Sequence, residues 1–272
     1  MGLRINTNVA SLNSARTLSR STLSLNKSLE RLSSGLRINR AADDAAGLAI
    51  AEGFRSVVRG TQVAQRNAQD GVSLVQTAEG ALSETTNILQ RVRELAVQAA
   101  NGTQSSENRA ALNTEVTQLL AQIDDIAFDT EFNGIAVLSG SSTLTLQTGA
   151  ESGQTLQIAI SSGAGQAAIG VSTVNISSTA GAVSALSQVD VALQRVNSLR
   201  SNLGAIQNRL EFTINTLAIQ EENSAASESA IRDADIARET IQFTRNQILV
   251  SAGTSVLAQS NVVPQTALQL LG

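Results

Sequence analysis

The chain has 272 residues with no cysteine, histidine, tryptophan or tyrosine, five phenylalanines, one proline and a formal net charge of -4. These counts exclude disulfides, thiol and imidazole catalysis and the usual zinc sites, and the acidic balance argues against nucleic acid as the main partner, because phosphate binding needs a basic face. With so few aromatic side chains to fill a compact core, cohesion has to come from many small contacts along extended surfaces, which favours long packed helices.

The opening residues, MGLRINTNVASLNSA, carry no apolar run of signal-peptide length behind a basic head. No apolar stretch reaches the roughly 18 residues of a membrane-spanning helix. The expectation is a soluble chain that inserts in no membrane and, if exported, leaves without a cleaved leader. Leu18, Thr22, Leu25, Leu29, Leu32 and Leu36 then alternate steps of four and three, the mark of a helix stripe facing a partner. Next comes RLSSGLRINRAADDAAGLAIAE, residues 31–52, which sets Arg31, Arg37, Arg40, Asp43 and Asp44 among alanines and glycines.

A longer series follows in the same rhythm: Ala64, Ala68, Gly71, Val75, Ala78, Leu82, Thr85, Leu89, Val92, Ala96 and Ala99. At helical rise it spans about 54 Å, so a rod is expected. Asn101-Gly102 stops it. Ser105 or Ser106 can cap a shorter helix whose stripe is Leu112, Val116, Leu119, Ile123 and Ile126.

From Gly134 to Ala182 serine, threonine and glycine crowd in, and alternation replaces the helical period. Leu144 and Leu146 form one run and Leu156, Ile158 and Ile160 another, with the turn-rich GAESG between them, which reads as a β-hairpin. Helical spacing resumes through Leu186, Val189, Leu193, Val196, Leu199, Leu203, Ile206, Leu210 and Leu217. A break is expected at the Ser/Ala-rich stretch 224–230. A final series, Ala234, Ala237, Ile241, Thr244, Ile248, Ser255 and Val262, is closed by Pro264.

The predicted fold is mainly α: long antiparallel helices in coiled-coil or bundle packing, the chain folded back on itself at a small β-hairpin-rich middle, and the N- and C-terminal helices paired. Residues 1–45 and 233–272 form a terminal helical domain. Residues 46–232 form a second domain, with helices at about 57–100, 104–128 and 182–222 and a β-rich segment at about 134–181, leaving no room for a large third one. The terminal pair draws on narrow stripes of single leucines, alanines and serines. Apolar burial contributes roughly 25 cal/mol per Å², against more than about 1 kcal/mol of entropy per ordered residue. The pair therefore needs further copies of the chain to cover it.

Candidate chemistry is sparse. Asp43-Asp44, Asp124-Asp125 and Glu221-Glu222 point about 100° apart on a helix, which suits solvated faces or helix-end charges better than an acid/base pair. SGAGQAAIG, residues 162–170, lacks both the spacing and the lysine of a phosphate loop. No catalytic, cofactor-binding or metal residue is assigned. The Ser/Thr-rich middle reads as a polar solvent-facing surface.

INTNVASLNSARTLSRSTLSLNKSLERLSSGLRINRAADDAAGLAIAE, QRVRELAVQAANGT and IRDADIARETIQFTRNQILVSAGTSVLAQSN, in this order and at both chain ends, resemble bacterial flagellin over about the first 135 and last 90 residues. The resemblance implies that the terminal helices form the inner tube of a helical filament, with Leu18, Leu25, Leu29, Leu32, Ile241, Ile248, Leu257 and Val262 packing the filament core, residues 46–232 as a rod domain outside it and no large outer domain. Arg31, Arg37, Arg40, Asp43 and Asp44 then lie in the linker between these layers, where subunits touch; the plainer alternative is a solvated loop. Arg91, Leu95 and Glu115 match the family's positions for detection by the flagellin-sensing Toll-like receptor, although Leu95 could instead be ordinary packing and the two charges a solvated pair.

The implied partners are the chain itself as a helical homopolymer, an export chaperone at the C-terminal helix, hook-junction and filament-cap proteins and a host Toll-like receptor. Export is expected by the flagellar type III route, uncleaved, to the extracellular filament. Two alternatives stay open on the residues alone: a hook-filament junction-type structural protein, or a coiled-coil signalling or scaffold module.

Overall fold

The computed structural model describes residues 7–139, 142–160 and 163–269. Ile5, Asn6 and Ser162 of the motifs above lie outside that set, as do the side chains of Ile160 and Pro264. The chain divides into two compact units, one from Met1–Ser56 with Asn223–Gly272, the other Val57–Glu222.

In the first unit, helix α1 (Val9–Ser34) begins at Asn8, whose side chain accepts the Ser11 N–H. It ends at Gly35, which takes the left-handed conformation (φ 71°) that ordinary residues avoid and returns its N–H to the Arg31 carbonyl. Helix α2 (Ala45–Ala100) starts here, after Asp44, which accepts the Gly47 N–H at 2.9 Å. Helix α5 (Thr179–Arg232) ends here and helix α6 (Ile236–Gln269) follows.

Two expected breaks are absent. Helix α5 runs through the Ser/Ala stretch 224–230, where alanines favour helix and Glu228 pairs with Arg232 one turn on at 3.6 Å. Helix α6 continues through Pro264 to Gln269, without the one backbone bond that a proline cannot donate.

The second unit is built on α2 and α5, which run antiparallel. Arg93 reaches Asp190 at 2.9 Å, Arg200 reaches Glu79 at 3.6 Å, and a β-carbon at Gly71 would meet Leu210 Cδ1 at 3.4 Å. Helix α3 (Ser106–Asp129), capped by Ser105, folds back on α2. Its buried side, Val116, Leu120, Ile123 and Ala127, joins Leu82, Leu89, Val92 and Leu95 of α2 and Val189 and Val196 of α5 in one core.

Strands β1 (Glu131–Phe132) and β2 (Ile135–Ala136) make a tight hairpin, and β3 (Ser142–Gln147) and β4 (Thr155–Ile160) make the expected longer one. The longer hairpin pairs Leu144 with Ile158 and Leu146 with Leu156. Asp124 takes the helix-end role, accepting the backbone N–H of Gln166 at 2.8 Å where the single-turn helix α4 (Gln166–Ile169) begins.

Candidate functional site

The α1–α6 pair is held by a seam that the leucine count alone does not reveal. A β-carbon at Gly253 would stand 3.2 Å from Leu18 Cδ1 and 3.7 Å from Leu18 Cβ. Arg31 meets Glu239 at 3.6 Å, and Asn246 Nδ2 donates to the Ser28 hydroxyl at 3.5 Å. At the far end Ser11 Oγ donates to Asn261 Oδ1 at 2.8 Å, and Asn8 Nδ2 donates to the Ser260 carbonyl at 2.8 Å.

The inner face of α1 carries Ser14, Leu18, Ser21, Leu25, Ser28 and Leu32, and that of α6 carries Glu239, Phe243, Asn246, Val250, Gly253 and Leu257. On both faces large side chains alternate with small or polar ones. Such a seam brings helices close while burying little apolar surface.

Of the residues expected to pack the filament core, Leu18, Leu25, Leu32 and Leu257 lie in the α1–α6 seam, half-buried. The other four lie outside it: Leu29 is 48 % exposed, Ile241 63 %, Ile248 62 % and Val262 45 %. The cause is phase, since their positions fall on the opposite face of the 3.6-residue turn. Phe243 and Val250, passed over in the sequence, take the inner places; their seven-residue spacing with Leu257 was the available signal. Outward, Thr240, Ile241, Thr244, Arg245, Ile248 and Leu249 line an open, mainly apolar groove along α6.

The charged segment after α1 is a strapped turn. Lys27 Nζ meets Asp43 Oδ1 at 2.7 Å, and the other Asp43 oxygen accepts the Asn39 and Arg40 backbone N–H groups. The Lys27 ammonium, helped by those two N–H groups and opposed by desolvation, holds the Asp43 carboxyl below the usual carboxylate range. Arg40 pairs with Glu30 at 2.8 Å.

Arg37 turns the other way. Its guanidinium donates to the Ile231 carbonyl, and its backbone N–H to the Arg232 carbonyl at 2.7 Å, supplying partners for the orphan carbonyls at the end of α5. The Ala234 N–H returns to the Gly35 carbonyl at 2.9 Å, and Leu36 bridges Asp233. Arg31, Arg37, Arg40, Asp43 and Asp44 thus all have partners within the terminal unit.

Arg91 and Glu115 meet on the surface at 2.9 Å, with Glu94 on the other arm of Arg91 at 3.2 Å. Glu115 first, then Glu94, raises the Arg91 pKa above its already high value. Leu95 does not join them: it is 1 % exposed and belongs to the core between α2, α3 and α5. Its place fits the alternative left open in the sequence, ordinary packing. Four positions from Arg91 is one turn, but the helix side there is already angled inward, in line with Val92, Ala96 and Ala99.

Among the described residues no group of three or more acidic, histidine or cysteine side chains could hold a metal ion. No helix among them is long and apolar enough to cross a membrane.

Comparison with known proteins agrees with this architecture. The family described as bacterial flagellin N-terminal helical region matches residues 5–143, and bacterial flagellin C-terminal helical region matches residues 186–271. The flagellar filament 33 kDa core protein of Treponema phagedenis is 44 % identical over 98 % of this chain and 99 % of its own length. A flagellin of Bacillus subtilis (strain 168) is 44 % identical over 99 % of this chain and 100 % of its own. The crystal structure of Bacillus cereus flagellin superposes with a TM-score of 0.50 at 35 % identity, over 56 % of this chain and 88 % of that one.

Proposed function

We propose that this chain, which belongs to the bacterial flagellin family and is a structural protein of the flagellar filament, polymerises through the outward faces of α1 and α6. One observation carries the reading. The seam between those helices alternates serines, an asparagine and a glycine with single large side chains, while Leu12, Leu23, Ile241, Ile248, Leu249 and Val256 stand exposed on their outer sides. Uncovered apolar side chains in such number call for a partner, and a helical homopolymer supplies identical copies of the same surface.

On this reading residues 1–45 and 233–272 form the inner tube, residues 46–232 form the rod, and Arg31, Arg37, Arg40, Asp43 and Asp44 sit at the join between layers. Support for the last assignment is the number of chain segments that the strapped turn ties together. The finished filament lies outside the cell, and the chain reaches it uncleaved by the flagellar type III route. Before export the apolar groove along α6 suits a chaperone that covers it, since an amphipathic helix seats its apolar face in a complementary groove. Hook-junction and cap proteins meet the chain at the filament ends.

Receptor detection follows the same surface logic. Arg91 and Glu115 supply the exposed charged contact for a host Toll-like receptor, and Leu95 acts from beneath, by holding α2 in place. Purified chain carrying Ile241→Glu and Ile248→Glu is the test of assembly. Seeded growth of long tubes should be lost while the helical content of the second unit is kept; unimpaired tubes from the double variant would remove the proposal.

A further inference from the structure

The chain contains two Asn-Gly dipeptides, Asn101-Gly102 and Asn133-Gly134, and their surroundings differ. Asn101 is exposed at the end of α2, in the bend before α3. Arg109 on α3 reaches back across this bend. Its Nε donates to the Ala99 carbonyl at 2.9 Å and its Nη2 to the Asn101 carbonyl at 3.1 Å. The Thr103 backbone N–H donates to the Asn101 side-chain oxygen, Oδ1, at 3.2 Å. A β-carbon at position 102 would have nothing within 4 Å, so the approach to this peptide is open.

We propose that Asn101-Gly102 is a self-cyclising modification site, which the turn around it promotes. In the step, the Gly102 backbone nitrogen loses its proton to solvent base and attacks Cγ of the Asn101 side chain. A nitrogen–carbon bond forms, the Cγ–Nδ2 bond breaks, and the amide leaves as ammonia after taking up a proton. The product is a five-membered imide. Water then opens either of its carbonyls, leaving aspartate or isoaspartate at position 101. The net change is one water consumed and one ammonia released.

Each contact of the bend assists a stage of this reaction. The negative charge of the deprotonated Gly102 nitrogen is shared with the Asn101 carbonyl oxygen, where the Arg109 guanidinium already donates. Charge that develops on Oδ1 as Cγ becomes tetrahedral meets the Thr103 N–H, a donor in place before the reaction begins, as in an oxyanion hole. Glycine at 102 leaves the nucleophile without a side chain in its path.

Asn133-Gly134 lacks this support. Both residues hold positive φ, 52° and 73°, in the two-residue turn between β1 and β2, flanked by the Phe132–Ile135 and Glu131–Ala136 pairs. That is the backbone of a tight hairpin turn, and closing an imide there requires rotating Asn133 out of the turn and opening the hairpin. The chain therefore carries its own reference site.

The experiment ages the full-length protein in mildly alkaline buffer and follows both asparagines by peptide mass mapping, each conversion adding about one mass unit. Conversion at Asn101 should outpace that at Asn133 by at least about tenfold, as expected where the developing charge meets donors already in place. Arg109→Gln should slow it several-fold, Arg109→Lys should give an intermediate rate, and Thr103→Pro, which removes the N–H donor, should slow it independently. Equal rates at the two asparagines overturn the proposal. So does conversion at Asn101 that is as fast or faster in both Arg109→Gln and Thr103→Pro.

Discussion

Leu18 occupies the space that a side chain at Gly253 would need, with its Cδ1 3.2 Å and its Cβ 3.7 Å from the position of a β-carbon there. The nearest atom is the far end of a flexible leucine, so a single methyl can be accommodated by a small shift. Gly253→Ala should therefore leave the α1–α6 pair intact and gain up to about 1 kcal/mol of helix propensity. Gly253→Val cannot be accommodated in the same way and should cost roughly 1–3 kcal/mol by overpacking. Circular dichroism melts of the two variants, read beside seeded assembly, should separate them; assembly by the valine variant at the parent rate would contradict the seam.

The same pair offers a covalent check. Disulfides form when β-carbons lie about 3.5–4.5 Å apart, and the chain has no native cysteine to interfere. Leu18→Cys with Gly253→Cys should cross-link on mild oxidation. Leu18→Cys with Asn246→Cys, one heptad away, should not, and the reverse result would place α1 and α6 in another register.

Asp43 predicts a dependence on pH. Its carboxyl is held below the usual carboxylate range by Lys27 and by the Asn39 and Arg40 N–H groups. A group whose folded pKa is depressed contributes stability that is present above its unfolded pKa and lost as pH falls through the folded one. The protection of the Asn39 and Arg40 amides, read as observed against intrinsic exchange rate at each pH, should therefore fall from the ordinary carboxylate range downward. Asp43→Asn should show the lower protection already at neutral pH and lose that acid-dependent fall.

Arg91 and Leu95 should separate in their effects. Leu95→Ala empties a core site and should cost about 2–5 kcal/mol in denaturant unfolding. Arg91→Ala removes an exposed ion pair and should leave unfolding nearly unchanged. If the charged pair is the receptor contact, monomeric Arg91→Ala should lose potency on receptor-bearing cells while unfolding like the parent. Leu95→Ala should lose potency only in proportion to its loss of fold.

Much of the fold was legible in the residues because the second unit obeys simple rules. Leu82, Leu89, Val92 and Ala96 all fall on the buried side of α2, Ser105 caps α3, and Leu144, Leu146, Leu156 and Ile158 set the hairpin register. The terminal unit was harder to read. Its apolar residues occupy more than one face, so a stripe traced through leucines and isoleucines crosses from the inner side at Leu25 to the outer side at Leu29 and Ile248. On the inner face Leu18, Leu25, Phe243 and Val250 alternate with Ser14, Ser21, Ser28, Asn246 and Gly253, and the latter are residue types that periodicity searches discard. Leu95 stayed open between receptor contact and packing for a related reason: spacing from Arg91 gives a neighbour along the helix but not the direction of its side chain.

Lys27 is the chain's single lysine, and its Nζ sits 2.7 Å from Asp43 Oδ1. An acylating reagent therefore finds one side-chain amine in the whole molecule, and that amine reacts only after it lets go of the carboxylate. The labelling rate becomes a native gauge of how often the strap after α1 opens, in free subunits and in fibres alike, with no dye or engineered residue added.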